Sequence, residues 1–141
     1  MATPELYIAS EGDITEVGAW LRQNLHAFNE TFIGPHKALH ISIGAKVDGQ
    51  IVGAVAGVVF LDWLSIELVF LQERYRGQGL GRELLEKIEQ EGRRLGAKRA
   101  FVDTTSFQAE GFYTKFGYQE WGRFRDFTPG TDRIYLRKDA L

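Results

Sequence analysis

A chain of 141 residues, 44% of them apolar, has the common size of one domain and can bury one sizeable core without staples. It contains no cysteine, which excludes disulfides, thiolate metal sites and a cysteine nucleophile. Its formal charge of −2 argues against a general binder of nucleic acid or anionic membrane, which is normally strongly basic.

The start, Met1-Ala2-Thr3-Pro4-Glu5, lacks the positive patch and apolar core of a signal peptide, and no apolar run approaches membrane-spanning length. No repeat or low-complexity linker divides the chain. The expectation is one domain, residues 1–141, in the cytoplasm.

Glu5 to Ala9 is a short strand candidate. Asp13 with Glu16 three residues later reads as a capping box, and Ile14, Val17, Leu21, Leu25 and Phe28 recur at helical spacing, so a helix is predicted over residues 13–29. Glu30 to Leu39, with Gly34-Pro35, reads as loop or a short broken helix. Strands are predicted for Leu39 to Val47, Gln50 to Phe60 and Leu64 to Leu71, the first two joined by an Asp48-Gly49 hairpin turn. Ile51, Val52, Val55, Val58 and Val59 make the second strand apolar on both faces, as an interior strand should be, with Gly53 and Gly57 weakening it locally.

Gly79 to Leu95 is the clearest helix, with Leu80, Leu84, Leu85, Ile88 and Leu95 on one side and charge on the other. Gly96 ends it. Arg99 to Thr105 is a strand, Gln108 to Phe116 a short helix closed by Gly117, and Tyr118 to Asp126 and Arg133 to Lys138 a final strand pair around Thr128-Pro129-Gly130. Hairpins mixed with helical crossovers imply an α/β (α+β) fold with a mixed sheet and helices on both faces.

The informative junction is Leu68-Val69-Phe70-Leu71-Gln72-Glu73-Arg74-Tyr75-Arg76-Gly77-Gln78-Gly79-Leu80-Gly81-Arg82, where a strand stops in a glycine-rich turn that opens into a helix. Glycines permit positive φ and close approach of backbone N–H groups to an anion, and Arg74, Arg76 and Arg82 add planar cations suited to phosphate. A tight strand-to-helix connection explains the glycines alone equally well. The spacing is neither the dinucleotide fingerprint nor a P-loop, because Arg82 stands where a third glycine or alanine belongs and no Gly-Lys-Ser/Thr follows.

Arg74-Tyr75-Arg76-Gly77-Gln78-Gly79 resembles the Gln/Arg-x-x-Gly-x-Gly/Ala acyl-CoA signature of the GNAT superfamily of N-acetyltransferases. Thr105 to Tyr118 is similar to that family's Asn-x-x-Ala-x-x-Phe-Tyr-x-x-x-Gly-Phe block, at the right distance along the chain. The resemblance spans Glu5 to Leu141, closely from 64 to 118. It implies the GNAT acyl-CoA N-acyltransferase fold, a mostly antiparallel mixed sheet of about seven strands flanked by helices, and acetyl-CoA as co-substrate.

The same resemblance implies roles. The donor's pyrophosphate would lie on the turn from Gly77 through Gln78, Gly79, Leu80 and Gly81 to Arg82, while the pantetheine arm pairs with Val69, Phe70 and Leu71, whose amides polarise the thioester carbonyl. Tyr113 would protonate the leaving thiolate; its alternative is a core tyrosine among Ala109, Phe112 and Phe116. The general base is assigned to Glu67, read as sharing a strand face with Trp63, Ser65, Val69 and Leu71 in apolar surroundings that would raise its pKa; the alternative is a structural glutamate. Asp103 is the second candidate base and His40 the third. Ser106 stands where the family usually has an asparagine contacting CoA, and Gln108 could supply the missing amide. His26 and His36 show no metal-ligand spacing, and no metal is implied.

The expected reaction is direct acetyl transfer in a ternary complex to a primary amine of a small molecule, with a protein N-terminus or lysine as the alternative acceptor. Phe28, Phe32, His36, Trp63, Trp121, Phe124 and Phe127 could wall the acceptor pocket, with Asp62, Glu67 and Asp126 attracting a cationic amine. The rival is a non-catalytic acyl-CoA sensor using the same cradle. Exposed aromatics and the terminal hairpin allow a homodimer.

Overall fold

The computed structural model describes residues 1–9, 14–109 and 111–141. The chain divides into two compact units, Met1–His36 and Lys37–Leu141.

In the first unit, α1 spans Ile14–Ile33. Asp13 of the expected capping box lies outside the described residues; Glu16 occupies the first turn, where an acid suits the positive end of the helix dipole. The helix continues past its expected end at residue 29, because nothing from Glu30 to Ile33 breaks it. It stops at Gly34, whose φ of 77° is left-handed and whose N–H donates to the Glu30 carbonyl at 3.0 Å. The strand expected at Glu5 to Ala9 does not form.

The second unit carries β1 (Leu39–Val47), β2 (Gln50–Phe60), β3 (Trp63–Leu71), α2 (Leu80–Arg94), β4 (Arg99–Thr105), β5 (Gln119–Thr128) and β6 (Thr131–Lys138). Single 3₁₀ turns stand at Glu73–Tyr75 and Tyr113–Phe116. The six-stranded sheet has the order β1-β2-β3-β4-β6-β5 and is antiparallel throughout except at β3–β4, the α+β arrangement expected. It has six strands instead of about seven because Glu5 to Ala9 contributes none.

Asp48 and Gly49 both take positive φ, 51° and 79°, the pair a tight β1–β2 hairpin demands. β2 lies inside the sheet with Val52, Val55, Val58 and Val59 buried, as its apolar pattern predicts, whereas Ile51 at its start is exposed. α2 buries Leu84, Leu85 and Ile88 over the same core as Leu64, Ile66, Ala100 and Val102. Burying each leucine or isoleucine is worth about 1.5–3 kcal/mol. Gly92 is needed for this approach, since a Cβ there would stand 3.1 Å from the Leu64 side chain. Glu89, on the same buried face, accepts from the Tyr118 hydroxyl at 2.8 Å and from Lys138 Nζ at 3.1 Å, so the helix is tied to β6 by a carboxylate with two donors.

The short helix expected at Gln108 to Phe116 contracts to the 3₁₀ turn Tyr113–Phe116, and Glu110 within it is outside the described residues. Gly111 and the short length explain why no α-helix nucleates. Gly117 ends the turn at φ 92°.

One irregularity decides where the sheet opens. β2 and β3 run in register from Phe60↔Trp63 to Gly57↔Ile66, then resume at Ala56↔Leu68, leaving Glu67 as an unpaired bulge residue. Gly57 makes this possible: a Cβ there would meet the Ser65 carbonyl oxygen at 2.5 Å, so any other residue would push the buckled strand away. β3 pairs with β4 only from Trp63↔Arg99 to Ile66↔Val102. Beyond the bulge the two strands part.

Candidate active site

The parting of β3 and β4 opens a cavity of about 760 Å³ within the second unit. One wall is β3 from Ile66 to Leu71, whose backbone is paired with β2 on one side and free of β4 on the other. The far wall is Val102, Asp103 and Thr104 of β4 with the segment from Phe107 to Phe116. The floor at the end of β3 is the glycine turn with Arg76, Gly77, Gly79, Gly81 and Arg82.

The turn has the conformation its glycines suggest. Gly77 and Gly79 have φ of 71° and 90°, and Gly79 is the N-cap of α2, so the first amides of the helix are presented at the cavity end. Gly81 sits 3.4 Å, as a Cβ would see it, from the Phe112 ring; a side chain there would press on the far wall. Arg76 Nε donates to the Leu71 carbonyl at 3.0 Å and anchors the turn to the strand end.

Tyr113 lies in the far wall, 4% exposed, its ring edge-on to Phe112 and Tyr118 with centroids 5.1 and 5.6 Å away. Burial, reinforced by the Asp103 charge, pushes its phenol up to about 12. The hydroxyl therefore stays protonated across physiological pH. The Tyr118 phenol is pushed up too, by burial and by the Glu89 carboxylate, but it belongs to the structural triad with Glu89 and Lys138.

Glu67 lines the cavity, though in different surroundings from those expected. Leu64 and Ile66 before the bulge and Leu71 after it belong to the core on the α2 side, an interval that strict alternation forbids, so Glu67 does not share a face with Val69 and Leu71. It is exposed, not enclosed in the apolar neighbourhood expected. Asp103 also lines the cavity, but its Oδ2 accepts from Arg133 at 2.8 Å from Nε and 2.6 Å from the terminal nitrogen. His40 lies exposed on β1, the sheet edge away from the cavity.

Belonging follows from comparison as well as from geometry. The profile of the Acetyltransferase (GNAT) family matches residues 5–118. The chain belongs to this family. It is 27% identical over 133 residues to an acetyltransferase of Agrobacterium fabrum, covering 94% of this chain and 97% of that one. It is 34% identical over 92 residues to the blasticidin-S acetyltransferase of Streptomyces morookaense, covering 64% and 68% respectively. The crystal structure of an acetyltransferase from Bacillus cereus superposes with a TM-score of 0.86 at 25% identity over 98% of both chains. The protein is thus an acetyltransferase of the GNAT fold.

Within the family's signature, the residues divide into two groups. Glu67, Val69, Phe70, Leu71, Arg76, Gly77, Gly79, Gly81, Arg82, Gln108 and Tyr113 converge on the cavity. Arg74, Gln78, Leu80 and Ser106 do not line it. Arg74 stacks on Tyr75 at 4.9 Å, Gln78 closes the turn by donating to the Arg74 carbonyl at 2.8 Å, and Leu80 packs against the core. Ser106 is committed elsewhere: its N–H donates to the Asp132 carbonyl and its Oγ accepts from the Asp132 N–H, both at 3.0 Å, tying β4 to the β5–β6 hairpin. Arg82 is engaged by Glu86 one turn on, at 2.8 Å.

Of the aromatics expected around an acceptor, Trp63 carries the Arg99 guanidinium at 4.1 Å, while Trp121 lies tilted and Phe124 edge-on to Tyr135; none of the three lines the cavity. The sequence reading missed Phe107, Thr104 and Lys115 as lining residues and gave Phe112 and Phe116 only to the core. Lys115 had no signal, because its direction depends on the chain making a 3₁₀ turn there.

Proposed function

We propose that the protein transfers the acetyl group of acetyl-CoA to a primary amine of a small molecule by direct attack in a ternary complex, and that the whole chain acts as one cytoplasmic domain. The observation that carries this is the single cavity shared by the free edge of β3, the glycine turn and a buried, protonated Tyr113. A free strand edge is a template for an extended amide-bearing arm, and the pantetheine of CoA has that form. The β3 amides from Val69 to Leu71 then polarise the thioester carbonyl, and the turn from Gly77 to Arg82 takes the pyrophosphate.

In the reaction the neutral amine attacks the acetyl carbon, the C–N bond forms, and collapse of the oxyanion breaks the C–S bond. Glu67 accepts the amine's proton, directly or through water. It is preferred to Asp103 because Arg133 already occupies the Asp103 carboxylate. Tyr113 donates to the departing sulfur. Gln108 accepts from the Thr104 hydroxyl and the Thr105 N–H, each at 3.4 Å, which leaves its amide NH₂ for the CoA contact expected near Ser106. The relative named for blasticidin S supports a small acceptor over a protein chain.

The thermal midpoint with saturating acetyl-CoA, with ATP and NAD as controls, tests the donor site. Ligand at about 100 times its dissociation constant adds about 2.7 kcal/mol. A rise specific to acetyl-CoA, followed by thiol release across an amine panel, supports the proposal. A folded sample that does not respond to acetyl-CoA overturns it.

A further inference from the structure

The first unit holds a cluster that acetyl transfer does not use. His26 and Glu30 stand one turn apart on α1, with His26 Nε2 and a Glu30 oxygen 2.9 Å apart. The left-handed Gly34 then reverses the chain, and His36 returns beside them: the two imidazole centroids lie 4.6 Å apart at 48°. One ligand atom from each of the three residues falls within 4.8 Å of the other two.

We propose that His26, Glu30 and His36 bind one divalent transition-metal ion of the Zn²⁺ class at the C-terminal end of α1. Three arguments converge. The donor set is two imidazoles and a carboxylate, which suits borderline ions such as Zn²⁺, Ni²⁺ or Co²⁺ and not Mg²⁺ or Ca²⁺, whose sites are built from oxygen. Around a tetrahedral ion with bonds of about 2.0–2.1 Å the donors sit about 3.3 Å apart, so His26 and Glu30 are already nearly placed and His36 closes by side-chain rotation.

Second, the outer contact is in place. His36 Nδ1 lies 3.2 Å from the Gly34 carbonyl, and donation to that oxygen leaves Nε2 with its lone pair for a metal, the tautomer control seen at metal-ligating histidines. The same turn is held by the Gly34 N–H on the Glu30 carbonyl, so the backbone carrying all three ligands is closed on itself. Third, the last turn of α1 has no basic residue, and a cation at that position answers the negative end of the helix dipole.

In the metal-free chain the His26–Glu30 contact holds two of the three donors together, and the metal takes the place of that contact. Three protein ligands leave a fourth position for water. The ion acts as a clamp that fixes the Gly34-Pro35 turn against the helix.

The test uses the untagged chain after chelator treatment, titrated with Zn²⁺. The chain has three histidines and no cysteine, so the imidazole NMR signals report the site directly. The expected result is saturation at one ion per chain, with the ring signals of His26 and His36 shifting together and that of His40 unmoved. His36→Asn and Glu30→Gln should each weaken binding by about tenfold or more. Both residues are part-exposed, and circular dichroism of the variants verifies the helix. Unshifted His26 and His36 signals at saturating Zn²⁺, a response confined to His40, or affinity unchanged in both variants would overturn the proposal; the wild-type signals decide it even where a variant fails to fold.

Discussion

β3 and β4 are neighbours in the sheet but pair along only about half of their length. From Trp63 to Ile66 they form a parallel ladder over a sealed core, with Leu64 and Ala100 fully buried and Ile66 and Val102 nearly so. From Glu67 onward the same strand is exposed, with Leu68 and Phe70 open to solvent and the ladder to β4 gone. The closed end supplies stability, and the open end holds the chemistry proposed above. What separates them is one bulge, seated on the missing side chain of Gly57. A free row of amides in a folded sheet is normally a hazard. Here it is recessed in a cavity with a donor tyrosine opposite.

The sharpest way to break the contrast is at the open end. Tyr113→Phe should lower kcat by about a hundredfold to ten-thousandfold with little change in the KM for acetyl-CoA; near-normal kcat would return Tyr113 to a packing role. The phenol, held near 12, should also leave the kcat profile without an alkaline limb at pH 10. The sign for stability follows from the same shift. A folded pKa raised above the unfolded value means that the stabilisation is complete below about pH 10 and is lost between 10 and 12. Urea midpoints across that window should therefore fall less steeply in Tyr113→Phe than in the parent.

At the closed end, Leu64→Ala should cost about 2–5 kcal/mol in urea denaturation. Phe70→Ala, a larger truncation at the exposed end, should cost under about 1 kcal/mol and act on the acetyl-CoA KM instead. Equal losses at the two positions would mean that the open end is packed in solution.

Gly57→Ala tests the hinge between them. A methyl 2.5 Å from a backbone oxygen cannot be absorbed by a side-chain rotation, so about 1–3 kcal/mol should be lost together with donor affinity. Loss of stability alone would separate the bulge from donor binding. A narrower effect is expected at Gly79→Ala, where the left-handed backbone costs about 1–2 kcal/mol and the first amides of α2 tilt, raising the acetyl-CoA KM.

Much of this was legible without coordinates where the signal was local. The Asp48-Gly49 hairpin, the α2 stripe and the glycine turn came from neighbouring residues and fall where they were read. Local reading failed where a partner decides. Glu5 to Ala9 reads as a short strand but pairs with none, and Gln108 to Phe116 has helical periodicity without the length to nucleate. The assigned face of Glu67 failed for the same reason, since counting by twos along β3 assumes a regular ladder.

The sequence by itself determined the family, the strand-to-helix cradle and the candidate acid, because glycine conformations, helical stripes and a tyrosine within a short motif are properties of adjacent residues. Only the tertiary structure decided where the sheet opens, that Ser106 is spent on Asp132, that Arg133 holds Asp103, and that His36 returns to His26 and Glu30. Each of these depends on register or chain reversal. Such contacts are set when distant segments settle their hydrogen bonds against one another, a choice that no short window of residues contains.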